Sequence, residues 1–260
     1  MPSPSLRKVH ANAAGTAAPS HTCMTASPPL LRRLLAEFLG AAFLAAVVIG
    51  AGIAAQQLSP QDAGLELFEV AAATATGLFA IILMFGPVSG GHFNPAVSLV
   101  DATFGGIPWR DTFAYIPVQI AGCALGAILA NAMFAKAAVS ISAHHRASPA
   151  HMLAEAVATF GLLLVIFALA RTRRRAAIPA AVGAYIGAAY FFTSSTSFAN
   201  PAIAIGRTLS NTFAGIAPAS VPGFIFAQLI GAAIAAATIR ALYPDIQPAD
   251  AAAVLVPHPS

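Results

Sequence analysis

SGGHFNPAVSL (89–99) and SFANPAIAIGR (197–207) share one tripeptide, Asn-Pro-Ala, at Asn94, Pro95 and Ala96 and again at Asn200, Pro201 and Ala202. Both copies lie in apolar surroundings, where a buried amide is costly unless it is hydrogen-bonded. Asn followed by Pro is a helix-start signal, with Asn as N-cap and Pro at the first helical position. The apolar stretch after each copy, Ala96–Phe104 and Ala202–Phe213, is too short to cross a bilayer. Each copy therefore predicts a half-helix that starts at mid-depth. Non-helical backbone is tolerated there only where protein buries it or water reaches it.

Composition places these motifs in a membrane. Of 260 residues, 58% are apolar and 8% are charged, against about 25% charged in a soluble domain. Such a chain could not cover itself with polar side chains in water. The formal charge of +4 comes from Lys and Arg scattered between apolar runs. They form no basic face with interleaved aromatics, which excludes nucleic acid as a partner. Six runs have the length of about 20 residues needed to span: Leu34–Ala55, Leu67–Val88, Phe113–Ala137, Met152–Ala170, Ile178–Phe192 and Val221–Leu242. Ala, Gly, Ser and Thr fill them, so helix backbones can approach closely. Residues 1–31 lack apolar periodicity and are expected to be a disordered cytoplasmic tail. The channel domain is expected over 32–243, with a C-terminal cytoplasmic tail over 244–260.

Three markers recur in the same order. An acid sits inside a span at Glu37 and Glu155; Asn-Pro-Ala follows; then come Gln119 with Gly122 and Gln228 with Gly231. Two equivalent halves, about 32–137 and 150–243, each hold three spans. Three is odd, so the second half enters from the opposite side. The expectation is an all-α membrane protein with six transmembrane helices and two re-entrant half-helices in an inverted repeat. Its half-helices meet N-terminus to N-terminus, bringing Asn94 and Asn200 together. Each helix end carries about half a positive charge. Such a centre accepts neutral hydroxylated solutes and raises the energy of any cation.

Positive charge sets the orientation. With the N-terminus inside, Arg7, Lys8, Arg32, Arg33, Arg110, Arg171, Arg173, Arg174, Arg175 and Arg240 face the cytoplasm. Lys136, Arg146 and Arg207 face outward. Both termini are then cytoplasmic. Cys23 and Cys123 suggest no disulfide, no metal-ligand spacing is present, and no cofactor is implied.

On these features the chain resembles the aquaporin, or major intrinsic protein, family: the segment 89–97, the second Asn-Pro-Ala, Glu37 and Glu155, and the Gln-x-x-Gly segments. The resemblance spans about residues 33–243. It implies a multi-pass protein of a bacterial-type plasma membrane. It also implies a homotetramer with one pore per subunit that passively conducts small neutral solutes such as water, glycerol and urea. It implies that Glu37 and Glu155 brace the loops and that His92 hydrogen-bonds beside the pore, and it implies no enzyme. Intramembrane acids also fit a proton-coupled transporter, and a non-conducting membrane scaffold is a third reading.

In most of the resembled family an Arg follows the second Asn-Pro-Ala directly and lines the outer constriction. Here that position is Ile203. By the same alignment the other filter positions are Ser197, Ala188 and either Thr74 or Thr76. The filter would be wider, would lack a bidentate donor and would lack a fixed charge worth about a few kcal/mol against cations. Arg207 stands at i+4 from Ile203, about 6 Å further out. It is either a displaced filter arginine at the outer mouth or a side chain that reaches the surface or pairs elsewhere. An aliphatic residue at 203, with Gly206-Arg207 and Thr212-Phe213-Ala214-Gly215-Ile216, resembles bacterial channels linked to arsenic resistance. Uncharged arsenite has the shape of a small polyol, so metalloid hydroxides join the expected solutes.

Overall fold

A computed structural model describes residues 28–244. The N-terminal tail up to residue 27 and the C-terminal tail from residue 245 lie outside the described residues. Six helices are long and apolar enough to cross a membrane. They are α1 (Leu30–Leu58), α2 (Ala63–Ser89), α4 (Trp109–Met133), α5 (Pro149–Arg171), α6 (Ile178–Phe192) together with the 3-10 turn Arg175–Ala177, and α8 (Val221–Leu242) together with the 3-10 turn Pro218–Ser220. Two short helices follow the Asn-Pro-Ala copies: α3 (Pro95–Thr103) and α7 (Pro201–Gly206). The fold is the expected all-helical inverted repeat with two re-entrant half-helices.

Several boundaries differ from expectation, three of them instructively. Helix α1 starts at Leu30, inside the stretch expected to be tail, and so includes Arg32 and Arg33. Helix α4 starts four residues earlier than its apolar run. Hydropathy discounts Arg110 and Asp111, but Asp111 accepts a 2.6 Å ion pair from Arg33 on α1, so the first turn is tolerated at the bundle edge. Helix α7 stops at Gly206 rather than running to Phe213. A 3-10 turn, Arg207–Leu209, follows it. Beyond this turn the Ser210 hydroxyl donates to Asn131 Oδ1 at 2.7 Å and shares a 3.0 Å hydrogen bond with the Thr212 hydroxyl. Such side chains offer an alternative to the helical ladder.

The two halves pack alike. Helix α1 lies most extensively on α4, α5 on α8, and α2 on α6 joins the halves. Small residues at the crossings cause this. A Cβ on Gly122 would lie 2.3 Å from the Phe38 carbonyl oxygen, and one on Gly231 would lie 2.2 Å from that of Ala156. Phe38 and Ala156 each follow the buried acid of their half, so the same close approach occurs twice. The half-helices α3 and α7 both pack on α4 and α8. Large apolar side chains such as Phe43, Phe68, Phe113, Phe191 and Phe226 are exposed on the outside, as expected of a surface solvated by lipid.

Gly122→Val would force α1 and α4 apart. Overpacking of this kind costs about 1–3 kcal/mol. The expected outcome is a lower melting temperature in detergent and reduced monodisperse yield in size-exclusion chromatography. An unchanged melting temperature would show that the crossing has slack.

Candidate functional site

Each half-helix is reached by the same backbone path. Gly90, Gly91 and Phe93 have φ of 97°, 66° and 48°; Thr196, Ser197 and Ala199 have φ of 61°, 49° and 46°. Left-handed backbone suits glycine and costs other residues about 1–2 kcal/mol each. The second copy has no glycine, so its loop needs external restraint.

Buried acids supply that restraint. Glu37 Oε1 accepts from the His92 amide at 3.0 Å and from the Ser89 hydroxyl at 2.6 Å. Its Oε2 accepts from the Phe93 amide at 2.7 Å and from Gln119 Nε2 at 2.8 Å. Glu155 repeats the pattern, accepting from the Phe198 and Ala199 amides at 2.8 Å each and from Gln228 Nε2 at 2.6 Å. Both acids are 0% exposed. Serine hydroxyls match too: Ser89 Oγ accepts from the Gly91 amide at 3.1 Å, and Ser195 Oγ from the Ser197 amide at 3.2 Å.

The two loops are locked to each other by the asparagines. Asn94 Oδ1 accepts from the Ala96 amide at 2.9 Å, capping α3, and its Nδ2 donates to the Ala199 carbonyl at 2.8 Å. Asn200 Oδ1 accepts from the Ala202 amide at 2.9 Å, capping α7, and its Nδ2 donates to the Phe93 carbonyl at 2.8 Å. Each amide carries two N–H groups. The second of each has no acceptor among the described residues, and both asparagines line the main cavity. Much of its lining is apolar, including Leu44, Val48, Leu78, Ile82, Val97 and Ile166.

Of the residues assigned from sequence to the constriction, Thr74, Ser197 and Ile203 line the cavity together. Thr74 shares a 3.2 Å hydrogen bond with the Tyr190 hydroxyl. Thr76 and Ala188 do not line it. Both are exposed, and the Thr76 hydroxyl donates to the Ala72 carbonyl of its own helix at 2.8 Å. The α6 wall is instead Ile178, Val182, Ile186 and Tyr190, a stripe at four-residue spacing that was legible in the sequence. Ala188 lies off that stripe. His92 lines the cavity and bonds Ser98 Oγ through Nδ1 at 3.0 Å. Arg207 is 3% exposed rather than at the surface. Its guanidinium stacks 3.5 Å from the Phe198 ring centroid, its Nε donates to the Ala214 carbonyl, and it lines the cavity. Phe198, over which Arg207 stacks, and Tyr190 on the cavity wall were not singled out in the sequence.

Six membrane-length helices surround a cavity lined by the two asparagines that cap the half-helices. The chain belongs to the major intrinsic protein family, whose profile matches residues 24–199. It is 48% identical over 219 residues to the aquaglyceroporin AqpS of Rhizobium meliloti, covering 84% of this chain and 93% of that one. It is 30% identical over 200 residues to the glycerol uptake facilitator protein of Streptococcus pneumoniae, covering 70% and 85%. The X-ray structure of the Plasmodium falciparum aquaglyceroporin shares the fold, with a TM-score of 0.66 at 19% identity, covering 83% of this chain and 98% of that one.

Glu37→Gln replaces one acceptor with an amide donor facing a donor. Leaving such a buried group unpaired costs about 1–3 kcal/mol. The expected outcome is reduced folded yield, with solute flux independent of pH in both forms. Proton-coupled uptake lost selectively in the variant would indicate a transporter.

Proposed function

We propose that this protein is a passive channel for small neutral solutes: water, glycerol, urea-like molecules and metalloid hydroxides such as arsenite. One observation carries the reading. The Asn94 and Asn200 amides, each fixed by a helix amide and the opposite loop's carbonyl, leave an N–H for solute in a largely apolar passage. A hydroxyl or water oxygen accepts from these donors in turn. A cation meets two helix N-termini and loses its hydration without gaining an anionic ligand. Because α7 is only six residues long, the amides and the longer α3 carry more of that barrier than α7.

The constriction in this reading is formed by Thr74, Ser197, Ile203 and Tyr190, with Arg207 at the outer mouth. Ile203 keeps the narrowest part apolar, and a charge stands one turn outward. Solutes broader than water then pass with fewer fixed hydrogen bonds to satisfy. The braces argue against a transporter, because Glu37 and Glu155 are fully occupied with loop amides and glutamines. In keeping with the resembled family, the protein is a homotetramer in a bacterial-type plasma membrane. Both termini are cytoplasmic, as the clustering of Arg32, Arg33, Arg110, Arg171, Arg173, Arg174, Arg175 and Arg240 at one end of the helices supports.

Stopped-flow measurements on proteoliposomes with water, glycerol, urea and arsenite test the proposal, in wild type and Ile203→Arg at equal abundance. Wild type should conduct all four above protein-free vesicles. In Ile203→Arg the long side chain fills the passage, and glycerol and arsenite should slow roughly tenfold more than water, the effect of about 1.4 kcal/mol in barrier. An unchanged ratio of glycerol to water permeability would remove Ile203 from the constriction.

A further inference from the structure

Arg207 and Arg146 approach the same aromatic ring from the loops that close the outer end of the cavity. The Arg207 Cζ lies 3.5 Å and the Arg146 Cζ 5.6 Å from the Phe198 centroid. Both side chains also line a smaller recess beside the main cavity, with Tyr190, Thr196 and Phe213. Backbone carbonyls aim them. Arg207 Nε donates to Ala214, Arg146 Nε donates to Gly215 at 2.8 Å, and Arg146 Nη2 donates to Phe213 at 2.8 Å. These carbonyls orient the guanidinium groups without neutralising them.

Neither arginine forms an ion pair with a carboxylate among the described residues. The carboxylate closest to them in effect, Glu155, is occupied by the Phe198 and Ala199 amides and Gln228. The terminal nitrogens of Arg207 have no hydrogen-bond partner among the described residues, although its side chain is 3% exposed. Ser197 Oγ beside it is buried and also lacks a partner. A buried arginine is ordinarily paired. Two cations on one ring, with free donors turned into a recess, are satisfied together by an acceptor carrying negative charge. The planar guanidinium fork matches the paired oxygens of a carboxylate or oxyanion.

We propose that Arg207 and Arg146 form a binding subsite for a small monovalent oxyanion or carboxylate at the outer mouth of the passage. The anion sits against the guanidinium groups over Phe198 and is held there, because the apolar stretch at Ile203 offers it nothing further in. While bound it obstructs entry of neutral solutes from that end. This obstruction rests on the channel reading; the binding itself does not.

The probe is methanesulfonate, a monovalent oxyanion that stays ionised at all ordinary pH. Titration calorimetry on the full chain in detergent, at constant ionic strength with gluconate as the bulky counter-anion, measures binding without any transport. Wild type should give a saturable isotherm. Arg207→Gln should weaken it at least about tenfold, the usual scale for losing a charge-assisted hydrogen-bond pair. Arg146→Gln, on a half-buried loop side chain, should weaken it severalfold and carries the test should Arg207→Gln not fold. Arg207→Lys should bind more weakly than wild type but better than Arg207→Gln. In wild-type proteoliposomes external methanesulfonate should slow glycerol entry along the same saturation curve. No binding up to about 100 mM, or equal affinity in wild type and Arg146→Gln, overturns the subsite. Absent glycerol flux with binding intact would count against the channel reading alone.

Discussion

The structure depends on how backbone amides at membrane depth are satisfied. Two loops enter the apolar interior, and their N–H groups have no water to turn to unless the passage supplies it. An unpaired buried amide costs several kcal/mol in lipid-like surroundings. Glu37 and Glu155 meet this demand, each holding two consecutive amides of one loop. The desolvation of each carboxylate is offset by four and three charge-assisted donors respectively. With the loops fixed, the asparagines can reach across and tie each loop to the other.

This order of dependence explains the small residues. A glutamate on α1 holds its loop only if α1, α4 and the half-helix are in close contact, and likewise for α5 and α8. Gly122 and Gly231 permit that contact one turn from the glutamines that complete each brace. The left-handed residues Ser197 and Ala199, costly in isolation, persist because Ser195 and Glu155 hold their amides, while the Thr196 amide donates to the Thr193 carbonyl. Strain in the second loop is thus supported from a different helix, as strained functional loops require.

Much of this was legible in the sequence. The repeated order of acid, Asn-Pro-Ala and Gln-x-x-Gly carried the topology, because each marker is a polar group that an apolar span tolerates only with a partner. The side chains around the constriction were less legible. Counting back from Asn200 gave Ala188, but the cavity wall follows the helical stripe Ile178, Val182, Ile186 and Tyr190. A fixed offset fails where the loop between α6 and α7 sets the register. The position of Arg207 was left open between mouth and surface. Its burial depends on Phe198 and the Ala214 carbonyl, contacts made by an irregular segment that carries no periodicity. The early end of α7 belongs to the same class, since it follows from hydrogen bonds between Ser210, Thr212 and the distant Asn131.

The central claim is that one centre admits neutral hydroxylated molecules and refuses charge. Simultaneous measurement of glycerol swelling and proton entry tests it most directly, in proteoliposomes held under a pH gradient with potassium and valinomycin to clamp the voltage. The account predicts glycerol permeability well above protein-free vesicles, with a proton flux no greater than theirs. A proton flux that rises in step with the amount of reconstituted protein would contradict it.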